Sequence, residues 1–360
     1  MGVLLVYDPL MIQSHQGEYQ VKFTNDVWFD EIESETNHYI IDEKIADCYQ
    51  EALSKILQSP SVLLIKATES NKALHQFPAY VEHLVKNKVR RDHRFIAIGG
   101  GIIQDITCFL AATLLRGVNW WFYPTTLLAQ ADSCIGSKSS INCGNTKNIL
   151  GTFTPPKKIT IALKFLDTLD RVDICSGVGE MLKVHAIEGI DSFNSIANDY
   201  ELLFTNKLIM QKYIRRSLEI KKKIIEQDEF DRGIRNVMNY GHTFGHAIES
   251  AADYKIPHGI AVTIGMDMAN YVASNFKFGS EENYLRMHPI LKKNFSKFID
   301  YDIPLETFIN AISKDKKNKG NNQLGLILPD KKGVPTRTFF ENDHRFKAVC
   351  KDYLLTGRTL

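Results

Sequence analysis

The sequence predicts an α/β domain built on a parallel sheet, followed by a mainly α-helical domain. Three observations predict this. Short apolar runs alternate with longer amphipathic runs as far as residue 167. From residue 168 helical periodicity takes over. At 360 residues the chain also exceeds the size at which one core usually stops growing, so it divides into 1–167 and 168–360.

In order, "GVLLVY" (2–7), "SVLLIKA" (61–67), "RFIAIGG" (94–100), "NWWFYPTTLLA" (119–129) and "KITIAL" (158–163) read as buried strands. Between them, "KIADCYQEALSKILQ" (44–58) and "PAYVEHLVKNKV" (78–89) carry helical spacing. In the second half, helical periodicity covers 176–190, 199–228, 241–252, 258–276, 283–298 and 305–313. "KDKKNKGNN" (314–322) is basic and turn-rich and reads as a solvated loop.

Composition excludes several function classes. A net charge of +2 gives no broad basic footprint, so no nucleic-acid partner is expected. The six cysteines form no CxxC pair, which suits a reduced cytoplasmic protein and neither a disulfide framework nor a zinc ribbon. No apolar run approaches the ~18 residues of a membrane span, and "MGVLLVYDPL" lacks the basic start of a signal peptide. The expected chain is cytoplasmic, with no membrane partner.

Five stretches carry candidate chemistry. "IAIGGGIIQD" (96–105) sets Gly99, Gly100 and Gly101 between a strand and a helix, where backbone N–H groups and the helix dipole favour a phosphate. Asp105 reads there as a helix N-cap, a cofactor contact, or both. Residues 123–153 form a long stretch rich in Gly, Ser, Thr and Asn with two lysines, Lys138 and Lys147. That composition suits a phosphorylated, polyhydroxylated ligand. "SGVGEMLKVHAI" (176–187) places Glu180 and Lys183 on one helix face, and its small residues imply close backbone approach. Lys221 shares an apolar stripe with Ile214, Leu218 and Ile225; it either snorkels to water or meets an anionic partner in a pocket.

The fifth stretch, "NYGHTFGHAIES" (239–250), sets His242 and His246 one helical turn apart. Thr243 stands where HExxH proteases carry their glutamate base, which argues against a protease. His258 opens the next helix. A catalytic zinc takes three protein ligands, and the residues alone offer Glu180 with two of the three histidines.

Several motifs occur together: the glycine triplet with Asp105, "RG" at 116–117, "PTTLLAQADSCIG-K" at 124–138, "KN" at 147–148, "GE--K" at 179–183, "DE---GIR--MNYGHTFGHAIE" at 228–249 and "HG-AV" at 258–262. In this order, from about residue 66 to residue 320, the chain resembles 3-dehydroquinate synthase and the wider sugar phosphate cyclases. The resemblance implies a Rossmann-like NAD-binding domain and a helical domain holding zinc or cobalt. It implies Glu180, His242 and His258 as metal ligands. Glu69, Lys72, Gly100, Gly101, Asp105, Thr125, Thr126, Lys138 and Lys147 fall on cofactor positions, Lys138 also among the catalytic ones. Lys183, Lys221, Arg235, Asn239 and His246 fall on the remaining catalytic positions. Arg116, Asp132, Asn148 and one or both of Lys316 and Lys317 fall on substrate-binding positions, Arg116 reaching across a homodimer interface.

The implied reaction is redox-neutral cyclisation of 3-deoxy-D-arabino-heptulosonate 7-phosphate to 3-dehydroquinate with loss of phosphate. It belongs to the shikimate route to aromatic amino acids. The alternatives are a cyclase of the 2-deoxy-scyllo-inosose or 2-epi-5-epi-valiolone type, a metal-dependent polyol dehydrogenase, and a non-catalytic regulatory relative. The chain departs from the family pattern at Gln104, where glycine is usual, at "GSKSS" in place of "GGKT", and at Ile260 in place of glutamate.

Overall fold

The computed structural model describes residues 8–24, 32–144, 146–314 and 323–360. The strand expected at 2–7, and Lys316 and Lys317, lie outside the described residues. The chain forms two compact units, Met1–Asp170 with Ile214–Phe230, and Arg171–Tyr213 with Asp231–Leu360. The segment 214–230, expected in the helical half, therefore packs with the first unit.

The first unit carries β1 (Leu10–Ile12), β2 (Tyr19–Thr24), β3 (Asn37–Asp42), β4 (Val62–Ile65), β5 (Arg94–Gly99), β6 (Asn119–Pro124), β7 (Ile141–Cys143), β8 (Thr146–Leu150) and β9 (Lys158–Ala162). Seven of them form a sheet in the order β1-β2-β9-β6-β5-β3-β4, parallel except at the β1–β2 pair. Its helices are α1 (Glu43–Cys48), α2 (Ser54–Leu57), α3 (Phe77–Lys86) and α4 (Gly101–Thr113). The continuous run expected at 44–58 is thus two short helices. The chain runs outward from β3 to β4, then returns to β5 on the other side of β3. Such a reversal opens a crevice at the strands' carboxyl ends, and β5 ends there in the glycine triplet. Ile41, Ile96, Ile98, Tyr123 and Phe165 belong to one buried cluster of this unit.

The stretch 123–153 is more ordered than its loop-like composition suggests. A π-helical turn spans Ala129–Ser133, and β7 and β8 form a separate antiparallel hairpin with a bulge. Asn142 N donates to Lys72 O at 3.1 Å, which ties the hairpin to the segment after β4.

The second unit holds α5 (Arg171–Glu188), α6 (Ile190–Asn198), α7 (Leu202–Thr205), α9 (His242–Ala251), α10 (His258–Asn275), α11 (Glu281–Asn294), α12 (Leu305–Ser313) and α13 (His344–Leu355). Helix α8 (Lys207–Ile225) begins in it and ends in the first unit. A hairpin of β10 (Gln323–Pro329) and β11 (Pro335–Glu341) completes it. Helix α10 is buried along nearly its whole length, as its apolar sequence on all faces requires. Its one buried carboxylate, Asp267, accepts from Tyr353 OH at 2.8 Å and pairs with His288 Nδ1 at 2.9 Å, which secures α13 and α11 to it.

Glycine sets how closely the helices approach. A Cβ on Gly259 would fall inside the Ser176 carbonyl, and one on Gly179 inside the Gly259 carbonyl and the Thr263 hydroxyl. Helices α5 and α10 therefore touch backbone to backbone. Ser176 Oγ meets the Gly259 N–H at 3.0 Å, satisfying a donor in the first turn of α10. Helices α9 and α10 meet in the same way, Gly265 against the carbonyl of Gly241, whose φ is 76°.

Gly259→Ala should cost about 3 kcal/mol of unfolding free energy, the upper end for overpacking a tight core. Urea denaturation followed by circular dichroism measures it. A loss below about 0.5 kcal/mol, the range of an indifferent surface change, would refute the contact.

Candidate functional site

Two side-chain clusters, one in each unit, carry the candidate chemistry. In the second unit the α5–α10 contact sets Glu180, next to Gly179, beside His258, next to Gly259. Glu180 Oε1 lies 3.4 Å from His258 Nε2 and 3.7 Å from His242 Nε2. Lys183 Nζ lies 2.5 Å from Glu180 Oε2, and both side chains are buried. The exposed ion pair that this spacing ordinarily makes on a helix is therefore not what forms here.

His242, His246 and His258 each present one ring nitrogen, and the three lie within 4.8 Å of one another. The Nδ1 of His242 faces the Tyr240 carbonyl at 3.3 Å, and the Nδ1 of His258 faces Glu249 Oε2 at 3.2 Å. An acceptor at Nδ1 fixes the proton there and turns the Nε2 lone pair inward. His246 is exposed, whereas His242 and His258 are partly buried. Arg235 is buried, and Asn239 is half-buried; both lie in the 3₁₀ segment Ile234–Asn239 just before α9.

Burial by itself would raise the Glu180 carboxyl. The Lys183 ammonium and His258 outweigh that and hold it well below the usual carboxylate range. For His258, burial works against the charged ring, but the close Glu180 and Glu249 carboxylates lift it to about 10, so a bound metal would take the place of its Nε2 proton. Both Glu180 oxygens are enclosed, and neither makes a hydrogen bond of ordinary geometry. A buried carboxylate held ionised and facing two imidazole nitrogens fits a divalent metal of the zinc type. Glu249 was not singled out in the sequence. It lies seven residues after His242 on the same helix, a spacing that holds on any amphipathic helix, and only the fold brings it to His258.

In the first unit, Gly100 caps α4 and, as glycine, supplies no side-chain bond to the amides of the helix's first turn. A Cβ at Gly101 would meet nothing closer than Ser133 Oγ at 4.0 Å. At Gly100 it would strike Thr126, whose hydroxyl accepts from Ala129 N at 3.2 Å. Thr125 N donates to Gly99 O at 2.9 Å. This open glycine turn at a sheet switch point fits a dinucleotide pyrophosphate.

Asp105 is no N-cap, because α4 already begins at Gly101. Its carboxylate pairs with Lys72 Nζ at 3.1 Å and accepts from Ser140 N at 2.9 Å. Lys72 also donates to Asn148 Oδ1 at 2.9 Å and lies 3.5 Å from Glu69. Glu69 accepts from Asn142 Nδ2 at 2.8 Å, and Asn142 Oδ1 accepts from Asn148 N at 2.9 Å. Asn148, matched to a substrate position, thus joins the network of the cofactor-matched residues, and Asn142 is a member that the sequence did not flag.

Lys221 does not snorkel. It is buried, 3.0 Å from Asp132 Oδ1, and donates to Asp132 O at 2.7 Å. Lys138 is exposed, on an isolated bridge to Phe153, and Lys147 is half-buried on β8. Arg116 is exposed on a turn in which Leu115, Arg116 and Gly117 all have positive φ. Among the described residues no helix is long and apolar enough to cross a membrane.

Two predictions follow from these clusters. Removing the charge that orients His258, by Glu249→Gln, should weaken Zn²⁺ binding about 10–100-fold, read by competition with a chromophoric chelator. Burial pushes the Asp105 carboxyl up to about 6 against the pull of Lys72. A raised carboxyl pKa adds stability that is complete below its unfolded value of 3.8 and lost as pH rises through about 6. The difference in unfolding free energy between the protein and Asp105→Asn should therefore change across that window and level off above it, as chemical denaturation at a series of pH values will show.

Residues 62–176 match the family description "3-dehydroquinate synthase N-terminal", and residues 177–318 match "3-dehydroquinate synthase C-terminal". A curated 3-dehydroquinate synthase of Alkaliphilus metalliredigens (strain QYMF) is 35% identical over 303 residues, covering 82% of this chain and 83% of that protein. A solved 2-deoxy-scyllo-inosose synthase, complexed with carbaglucose-6-phosphate, NAD⁺ and Co²⁺, superposes with a TM-score of 0.83 at 20% identity, covering 96% of this chain and 99% of the other. The 2-epi-5-epi-valiolone synthase of Streptomyces hygroscopicus subsp. jinggangensis 5008, with NAD⁺ and Zn²⁺ bound, gives 0.79 at 23% identity, covering 93% and 96%. At those identities the two structures show a shared fold.

Proposed function

Because the chain belongs to the 3-dehydroquinate synthase family, we propose that it cyclises 3-deoxy-D-arabino-heptulosonate 7-phosphate to 3-dehydroquinate with release of phosphate. The observation that carries this reading is the buried Lys183–Glu180 pair against His242 and His258, joined to a sequence likeness to 3-dehydroquinate synthases.

Glu180, His242 and His258 would hold a Zn²⁺ or Co²⁺ ion, and the turn Gly99–Gly101 with Thr125, Thr126, Glu69, Lys72, Asp105 and Lys147 would hold NAD. When bound, the metal supplies Lewis-acid polarisation of substrate oxygens and NAD a transient oxidation at ring carbon. The rest is the work of this chain. Lys183 keeps Glu180 ionised as a ligand. His246, exposed beside two anchored rings, faces substrate and carries a proton to or from its oxygen. The cations Lys138, Lys221 and Arg235 suit the carboxylate and phosphate ends of a keto-acid sugar phosphate, Arg235 as a planar fork. Asn239 and Asp132 orient hydroxyls, and Asn148 fixes Lys72. The same reading makes the protein a homodimer in which Arg116 meets the phosphate of a substrate on the partner.

The test is phosphate release from the heptulosonate phosphate with NAD⁺ and Zn²⁺, with absorbance followed for NADH. Stoichiometric phosphate and dehydroquinate are expected without net NADH, and His258→Ala should lower kcat by about 10³-fold or more, as loss of a metal-site group does. No release from this substrate, but release from glucose 6-phosphate or cyclisation of sedoheptulose 7-phosphate, would move the chain to another cyclase. Steady NADH accumulation from a simple polyol would make it a dehydrogenase.

A further inference from the structure

Gln104 stands in the cofactor helix α4, and 5% of it is exposed. Both ends of its amide are spent on one residue. Nε2 donates to the Ser133 carbonyl at 2.6 Å, and Oε1 accepts from the Ser133 hydroxyl at 2.6 Å. Ser133 closes the π-helical turn Ala129–Ser133. A single π turn is a local departure from α-helical bonding, of a kind frequent at functional sites, and this one closes with Cys134 N donating to Ala129 O at 3.1 Å. Asp132, one residue earlier, holds the Lys221 ammonium through both its carboxylate and its carbonyl.

We propose that Gln104 is a positioning residue: from α4 it clamps the π turn, and the clamped turn sets where Asp132 holds the Lys221 ammonium. The inference rests on the reading above in so far as Lys221 meets substrate. A two-point clamp fixes both the distance and the rotation of Ser133, which one hydrogen bond would not do. A leucine would fill the same volume and supply neither bond. The amide is thus present for its two polar atoms, since leaving them unpaired in this setting would be costly. The neighbouring Gly136 N–H is held in turn by Tyr19 OH at 3.2 Å, so the segment after the turn is anchored independently of Gln104.

The experiment needs no substrate. The full chain, Gln104→Leu and Ser133→Ala are treated with an acetylating N-hydroxysuccinimide ester, and the rate at each lysine is read by peptide mass spectrometry. Loss of both hydrogen bonds should speed labelling of Lys221 about tenfold in Gln104→Leu and by less in Ser133→Ala, with Lys72 and Lys183 within about twofold of the original. An unchanged Lys221 rate in a folded variant, or an equal rise at all three lysines, would overturn the proposal. Should Gln104→Leu fail to fold, Ser133→Ala, which loses one hydroxyl, decides alone. Where the protein turns over the heptulosonate phosphate, Gln104→Leu should lower kcat about tenfold and leave the KM for NAD⁺ within about twofold. Equal losses in both would count against positioning. If the parent protein shows no turnover, the functional reading fails while the labelling still decides this one.

Discussion

The metal-type cluster depends on backbone contact between helices. Where α5 crosses α10, Gly179 and Gly259 remove the two Cβ atoms that would hold the helices apart. Each glycine is followed or preceded by a functional side chain, Glu180 on one helix and His258 on the other. Interaxial distance and donor spacing are therefore one quantity. The α9–α10 contact at Gly241 and Gly265 does the same for His242. Backbone positions are rigid in packed helices, so a site built on them is held more firmly than one on a loop.

Buried lysine–carboxylate pairs recur in both units: Lys183 with Glu180, Lys221 with Asp132, and Lys72 with Asp105. Burying such pairs generally contributes little net stability, because desolvation offsets the attraction. Their value lies in preorganisation. Charges fixed in place before ligand arrives need little reorganisation when charge develops on it. The neighbours of each pair decide its protonation. Glu180 is held ionised by a lysine and a histidine, whereas Asp105 is raised toward 6 because burial outweighs its one close cation.

Most of the parallel sheet was legible because β5, β6 and β9 are unbroken apolar runs bounded by turn residues, and helices such as α9 and α12 because they repeat a helical period. β3 was not read as a strand, although it is an interior strand of the sheet, paired on both sides. "NHYIID" is buried along nearly all of its length, so it shows no alternation, and its polar start resembles a loop. β10, β11 and α13 likewise carry no period strong enough to separate them from the residues before. The hairpin β7–β8 is concealed by the Gly/Ser/Asn composition that suggested a loop.

By itself, the sequence determined the class of chemistry. Residue types that bind metal, phosphate and carboxylate occur at helix and turn spacings, and spacing within one element is a local property that the chain encodes directly. Only the tertiary structure decided which groups meet. Glu249 reaches His258, Gln104 engages Ser133, Asn148 accepts from Lys72, and Lys221 finds Asp132. Each of these is a contact between separate segments. Such pairings are set by how elements pack, with glycine fixing the closest approaches, and no local period records them.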